Sequence, residues 1–511
     1  KESYWLNQIA YWDSDKDDQN RIIRTKKVDD PRIGLSEFPH VVLNQARIHD
    51  MLLEGMLNSP GCIEPFYESE LLDIKLDKKI QNCLNSYPIT ATIKQIRKDQ
   101  IVTKEIKTRY LVGCDGARSM VRKGLNIPLL GDTTDIAWGV MDALVKTDFP
   151  DIRVKCFIKT KDNGSALVIP REGGYLVRLY IELEESKKNK KLSIDKTSLE
   201  ELIDNTKQIF KPYKFEIKEI PWWSVYKIGQ RVASSFDNLS IEKKMREYPR
   251  IFIAGDACHT HSPKPGQGMN VSIHDAFNLG WKLSSVLLER ANPIILSTYD
   301  TERRAVAQDL INLDRDFAGL VSDKNKNKDN PLSKKNNTRK IENYFEKQTG
   351  FIAGTNIKYQ KSLLISDNQY QNLAKGFTLG MRFHSCKVKR LADGRICQLG
   401  HLNKADGRWR IFIFSNDTKL SKNSKINKLL KFLFESKNSP ILKYTPKNND
   451  VDSVIDVIYV FQNENEISLD NLVNTYLVPM KGRYKLRDYE KIYNSIPNDD
   501  IFLNRKLDKK I

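Results

Sequence analysis

The chain has 511 residues and carries 84 Lys plus Arg against 65 Asp plus Glu, a formal net charge of +19; at about 100–200 residues per domain this is two to four domains. Hydrophobic residues make up 40% and charged residues 29%, ordinary values for a globular protein with sizeable cores, and no apolar run approaches the ~20 residues that span a bilayer. Membrane, collagen-like and wholly disordered classes are excluded.

Residues 1–130 mix helix and strand signals. Val41–Leu57 reads as a helix, with Leu43, Ala46, Met51 and Leu52 at roughly helical spacing, and Thr90–Ile96 and Thr108–Val112 read as strands. From about 131 to 235 the pattern is mostly of period two, and Arg153–Thr160, Ala166–Pro170 and Gly174–Leu183 predict an antiparallel sheet. Arg250–Ala254 is a buried-strand run, followed by a long loop, a helix from Asn270 to about Leu288, and another from Tyr299 to about Phe317. The Lys- and Asn-rich stretch 323–340 marks an insertion or linker. Beyond Gly376, strand signals at Trp409–Phe414 and Val454–Phe461 flank a helical Ile426–Ser436, a β-α-β pattern.

The seven cysteines, at 62, 83, 114, 156, 258, 386 and 397, are dispersed and never spaced C-x-x-C. This argues against a disulfide framework, a zinc ribbon or a dithiol redox pair and favours a reducing compartment. Basic runs such as Lys187–Lys191 contain no aromatic residue and read as solvated loops rather than a nucleic-acid surface. The first twenty residues lack a secretion signal and the chain lacks a peroxisomal tail, so the cytoplasm is the expected location.

Two loops carry chemistry. In the first, a strand delivers Asp115-Gly116 into a turn and Ser119 stands where it can start a helix that includes Arg122. Asp-Gly permits positive φ while a carboxylate points outward; an ordinary capped strand-to-helix turn reads equally well. In the second, the buried strand ends in Gly255-Asp256, a carboxylate suited to a polyol, and after a loop with Pro263 and Pro265 the run Gly266-Gln-Gly268-Met269-Asn270 opens a helix whose free N–H groups favour negative charge. Val271 occupies the place of a third glycine, so this is no dinucleotide fingerprint. His259 and His261 lack the partner cluster that a metal site needs, and no metal is expected. On the strand Gly174–Leu183, Arg178 and Tyr180 share one face. That face meets either a site that needs a cation and a hydroxyl, or solvent.

Together these segments resemble the FAD-dependent aromatic hydroxylases, and among them most closely the fungal phenol 2-monooxygenases. Leu35–His40, Asn44–Arg47, Tyr226–Arg231, Asp275–Leu283, Tyr299–Arg303 and Gly350–Thr355 carry the resemblance further along the chain. It implies an NADPH-using monooxygenase that hydroxylates phenol or a simple substituted phenol, ortho to the hydroxyl, through a flavin C4a-hydroperoxide and O₂. Another hydroxylated aromatic substrate, or a flavin-free paralogue that only binds or dimerises, is the alternative. By resemblance Gln45, Asp115, Gly116, Ser119, Arg122, Gly255, Asp256, Pro265, Gly268, Met269 and Asn270 contact FAD or NADPH. Arg178 and Tyr180 are implied to be catalytic, and Pro263 to line the substrate side.

The implied fold is mixed α/β, in four parts. A Rossmann-like FAD-binding domain begins at 1–130, an antiparallel substrate domain fills 131–235, and the FAD domain resumes at 236–365. A thioredoxin-like C-terminal domain at 376–511, without C-x-x-C, is implied to support a homodimer. No G-x-G-x-x-G occurs in the 511 residues. By resemblance residue 1 aligns beyond a first βαβ unit, where the family's catalytic base belongs, which makes the chain a fragment or a pseudoenzyme.

Overall fold

The computed structural model describes residues 2–30, 35–97, 100–161, 163–183, 198–240, 242–244, 246–261, 266–321, 344, 347–416, 424–462 and 476–508. The Lys/Asn-rich stretch 323–340 lies outside them. The chain forms two compact units, Lys1–Leu279 with Leu296–Ala353, and Gly280–Ile295 with Gly354–Ile511. No helix among the described residues is long and apolar enough to cross a membrane.

The first unit is organised by an eight-stranded sheet. In spatial order its strands are His259–Thr260, Phe215–Ala233, Leu129–Thr147, Leu176–Leu183, Ser165–Pro170, Lys155–Lys159, Gln8–Ser14 and Ile22–Asp29. The expected antiparallel run 131–235 is its centre. Residues 8–29, which the sequence reading placed with the cofactor domain, belong to this sheet instead: Gln8–Ser14 pairs in parallel with Lys155–Lys159. The reason is local chemistry as well as pairing. The buried Asp151 carboxylate accepts hydrogen bonds from Trp12 Nε1 at 3.0 Å and Arg24 Nε at 2.7 Å, and Trp12 packs on Phe149 with ring centroids 4.7 Å apart.

One face of the sheet builds the core. Val177, Leu179, Ile181 and Leu183 point inward with Met141, Val168 and Ala166, and the helix Leu199–Ile209 lays Leu202 and Ile209 against them. That helix starts on a capping box, Ser198 with Glu201, which satisfies two otherwise orphaned N–H groups. The opposite face, including Arg178 and Tyr180, is only half-buried.

A three-stranded antiparallel sheet, Ser69–Leu76, Ile89–Arg97 and Gln100–Thr108, precedes the short strand Leu111–Gly113. That strand pairs in parallel with Ile251–Ile253, and this pair carries both loops of interest. Helix Gln45–Leu57 begins four residues later than predicted, after a two-residue strand Val41–Val42, with Asn44 as its N-cap.

The second unit centres on a mixed five-stranded sheet ordered Ile396–Gln398, Lys387–Arg390, Ile492–Ser495, Ile455–Phe461 and Trp409–Ser415. Trp409–Ser415 and Ile455–Phe461 are parallel, with helix Lys425–Glu435 between them in sequence, as the β-α-β reading expects. Every residue of Ile455–Phe461 is buried, the signature of a strand covered on both faces.

Candidate active site

The parallel pair brings the two sequence-distant loops side by side. Leu111 N donates to Arg250 O at 3.0 Å, and Ala254 N to Gly113 O at 3.0 Å. Gly113 is required here, because a Cβ would stand 2.5 Å from Cβ of Val121, a β-branched side chain that cannot swing away. The strand therefore packs directly on the short helix Met120–Gly124.

At the first loop, Gly116 takes φ +77° and Ser119 caps the helix by accepting from Arg122 N at 2.9 Å. Asp115 Oδ2 accepts from Met120 N at 2.6 Å and Val121 N at 3.1 Å. The capped-turn reading thus holds in detail, and the exposed carboxylate is fixed by the helix start. Arg122 is buried and bridges the loops: Nη1 donates to Ala257 O and Nη2 to Ala117 O, each at 2.9 Å. Burial lowers its pKa, with Asp115 opposing.

The second loop is a single tight turn, Gly255–Ala257, with Gly255 at φ +63° and Asp256 exposed. Behind it, Asp275 of helix Gly268–Leu287 is wholly buried and accepts from Gly255 N at 3.3 Å, His259 Nε2 at 2.8 Å and Arg303 Nε at 2.7 Å. Tyr299 Oη donates to Ile253 O at 2.8 Å. His259 is thus bound to a carboxylate within the fold, and among the described residues no group of three His, Cys, Asp or Glu converges on a metal position. Gly268, Met269 and Asn270 form the first turn of the 20-residue helix, two residues earlier than predicted. Pro263 and Pro265 lie outside the described residues. Gln45 stands exposed at the start of its own helix.

Arg178 and Tyr180 occupy the half-buried sheet face, in a cluster that sequence reading only partly found. Across the sheet Arg178 stands opposite Asp142, and Asp142 opposite Trp222. Arg178 Nε and Nη2 each donate to Asp142 at 2.7 Å, Arg171 Nη1 reaches both Asp142 oxygens at 3.2 Å, and Arg178 lies over the Trp222 ring at 5.1 Å. Burial disfavours the Arg178 charge, but the hydrogen bonds to Asp142 and the neighbouring Tyr180 outweigh it and its pKa is raised. Asp142, Arg171 and Trp222 were missed. The one signal was a carboxylate inside the apolar run Val140-Met-Asp142-Ala-Leu. Strand Phe215–Ala233 links the two halves of the site, since it carries Trp222 and also pairs with His259–Thr260.

These residues fit a flavin. Asp256 is exposed on a turn that the 20-residue helix braces through Ser272 and Asp275, and at Gly116 and Gly266 a Cβ would meet nothing within 4 Å, so both loop backbones face open space.

Comparison with known sequences agrees. Residues 42–314 match a family described as FAD binding domain, and 357–510 one described as phenol hydroxylase, C-terminal dimerisation domain. A 3-hydroxybenzoate 4-monooxygenase of Comamonas testosteroni is 43% identical over all of this chain and 80% of its own length. A phenol 2-monooxygenase of Aspergillus fumigatus is 34% identical over 80% of this chain and 64% of its own. The expected affinity with phenol 2-monooxygenases therefore holds at family level, with the hydroxybenzoate enzyme the more similar of these two. In fold, the chain resembles the flavin-dependent monooxygenase PieE, with a TM-score of 0.59 at 15% identity over 90% of this chain and 78% of that one. The chain belongs to the FAD-dependent aromatic monooxygenases.

Proposed function

We propose that the enzyme places a hydroxyl on a phenol or a simple substituted phenol, at the ring carbon next to the existing hydroxyl, with NADPH as the electron source. FAD, when bound, supplies the activated oxygen. The observation that carries the reading is the cluster of Arg178, Tyr180, Asp142 and Trp222 on one sheet face. In this reading Tyr180 hydrogen-bonds the phenol oxygen and can relay its proton. The Arg178 cation lowers the cost of the phenolate that activates the ring. Asp142 fixes the guanidinium plane, and the half-exposed Trp222 offers a stacking face.

Gln45, Asp115, Gly116, Ser119, Gly255, Asp256, Gly268, Met269 and Asn270 are proposed to hold FAD, with Pro263 and Pro265 completing the loop on the substrate side. Arg122 serves by locking the two loops together, since its guanidinium is engaged by two carbonyls. Residues 376–511, read as a thioredoxin-like domain, are proposed to pair two copies; the match of 357–510 to a dimerisation domain supports this reading.

The relatives' names support the position of attack. A 3-hydroxybenzoate 4-monooxygenase and a phenol 2-monooxygenase both act at the carbon beside the hydroxyl. The 43% identity favours a second reading in which the ring also bears a carboxylate. Product analysis with phenol and with 3-hydroxybenzoate, in the presence of FAD and NADPH, tests both. The vicinal diol is expected; a para diol or no diol from either substrate contradicts the proposal.

A further inference from the structure

The turn that presents Asp256 is not held by its own residues alone. Gly255 takes a left-handed φ of +63°, and a Cβ there would meet Ser272 at 3.2 Å, so the turn is pressed against helix Gly268–Leu287. From that helix Asp275 reaches under the turn and gathers three donors from three elements: the Gly255 amide, the His259 imidazole of the edge strand and the Arg303 guanidinium of helix Thr298–Val321. Asp275 and His259 are 0% exposed and Arg303 is 1% exposed. A carboxylate this deep is stable only with such partners.

We infer that Asp275 is a positioning residue for the cofactor loop. Through Gly255 and His259 it sets where the Asp256 carboxylate stands, so flavin affinity depends on an ion pair that touches no ligand. The inference rests on the reading of Asp256 as a flavin contact. It assigns Arg303 the task of holding the Asp275 carboxylate in place, and His259 that of tying the loop to the eight-stranded sheet through Val232.

Asp275→Asn removes a buried negative charge beside Arg303 and can lose the fold, so the test uses Asp275→Leu with Arg303→Met, which removes both charges together. Hydrogen exchange of the full chain without flavin is measured first, followed by FAD titration of the double variant, Asp256→Ala and the parent. The double variant is expected to fold, to lose protection in residues 251–260 by roughly tenfold, the scale of one hydrogen bond to a charged acceptor, and to keep it across Leu176–Leu183. FAD affinity should fall alongside. Unchanged protection in 251–260, or equal loss everywhere, overturns the inference. If protection falls there but Asp256→Ala holds FAD as tightly as the parent, the reading of Asp256 fails while the brace stands.

Discussion

Arg178 and Asp142 face each other on adjacent antiparallel strands and are joined by two hydrogen bonds of 2.7 Å. The carboxylate is buried and is shared with Arg171, whereas the Arg178 guanidinium is partly open and lies on Trp222. A cation on the half-buried sheet face is thereby held flat and in one place.

Removing Asp142 takes the shared carboxylate from between two arginines, of which Arg171 keeps Glu172 at 2.9 Å. Asp142→Ala should destabilise the protein by about 3–5 kcal/mol, the usual result of breaking a buried pair by deleting one partner. Urea unfolding reads it directly. A loss below about 1 kcal/mol would mean the arginines find other partners.

Tyr180 is assigned chemistry rather than support. Tyr180→Phe keeps the ring on a half-buried face, so unfolding should shift little while hydroxylation slows by about 10²-fold or more, the scale of general acid–base assistance. Turnover equal to the parent would assign Tyr180 to packing alone.

Gly113→Ala drives a methyl onto Val121, whose Cβ would lie 2.5 Å away. Overpacking of this kind costs about 1–3 kcal/mol. Because the clash separates the strand from helix Met120–Gly124, FAD retention should weaken with stability. A variant that melts with the parent and retains flavin would show that the strand and helix are free to part.

Asp237 gives a pH signature. Burial and repulsion from Asp300 outweigh Lys244 and push its pKa up to about 6. An acid with a raised native pKa holds its proton longer when folded, so its contribution is present below the unfolded value near 4 and is lost as pH rises through about 6. Asp237→Asn, which keeps an acceptor for Leu239 N, should remove that decline. Unfolding free energies at pH 4 and pH 7 for both proteins check the sign. An equal pH dependence in the variant would contradict it.

What the sequence made legible was local. Strand Leu176–Leu183 alternates buried and half-buried residues as its pattern implied, and the Asp115 and Asp256 loops follow short strands as read. The helices at 268 and 298 were found within a few residues. What stayed hidden depends on distant pairing. Nothing near Gln8–Ser14 announces a parallel partner more than a hundred residues away. Strands Leu129–Thr147 and Phe215–Ala233 run 19 residues each, and register shifts in their pairing break the period that would have revealed them. Asp275 read as part of a helix, and only the fold brings Gly255, His259 and Arg303 to it.

The claim that the Asp115 and Asp256 loops hold FAD is tested most directly by the visible absorbance of the chain after incubation with FAD and desalting. A retained flavin band that is lost in Asp256→Ala is expected. No band with the parent chain, or an equal band with the variant, would contradict it.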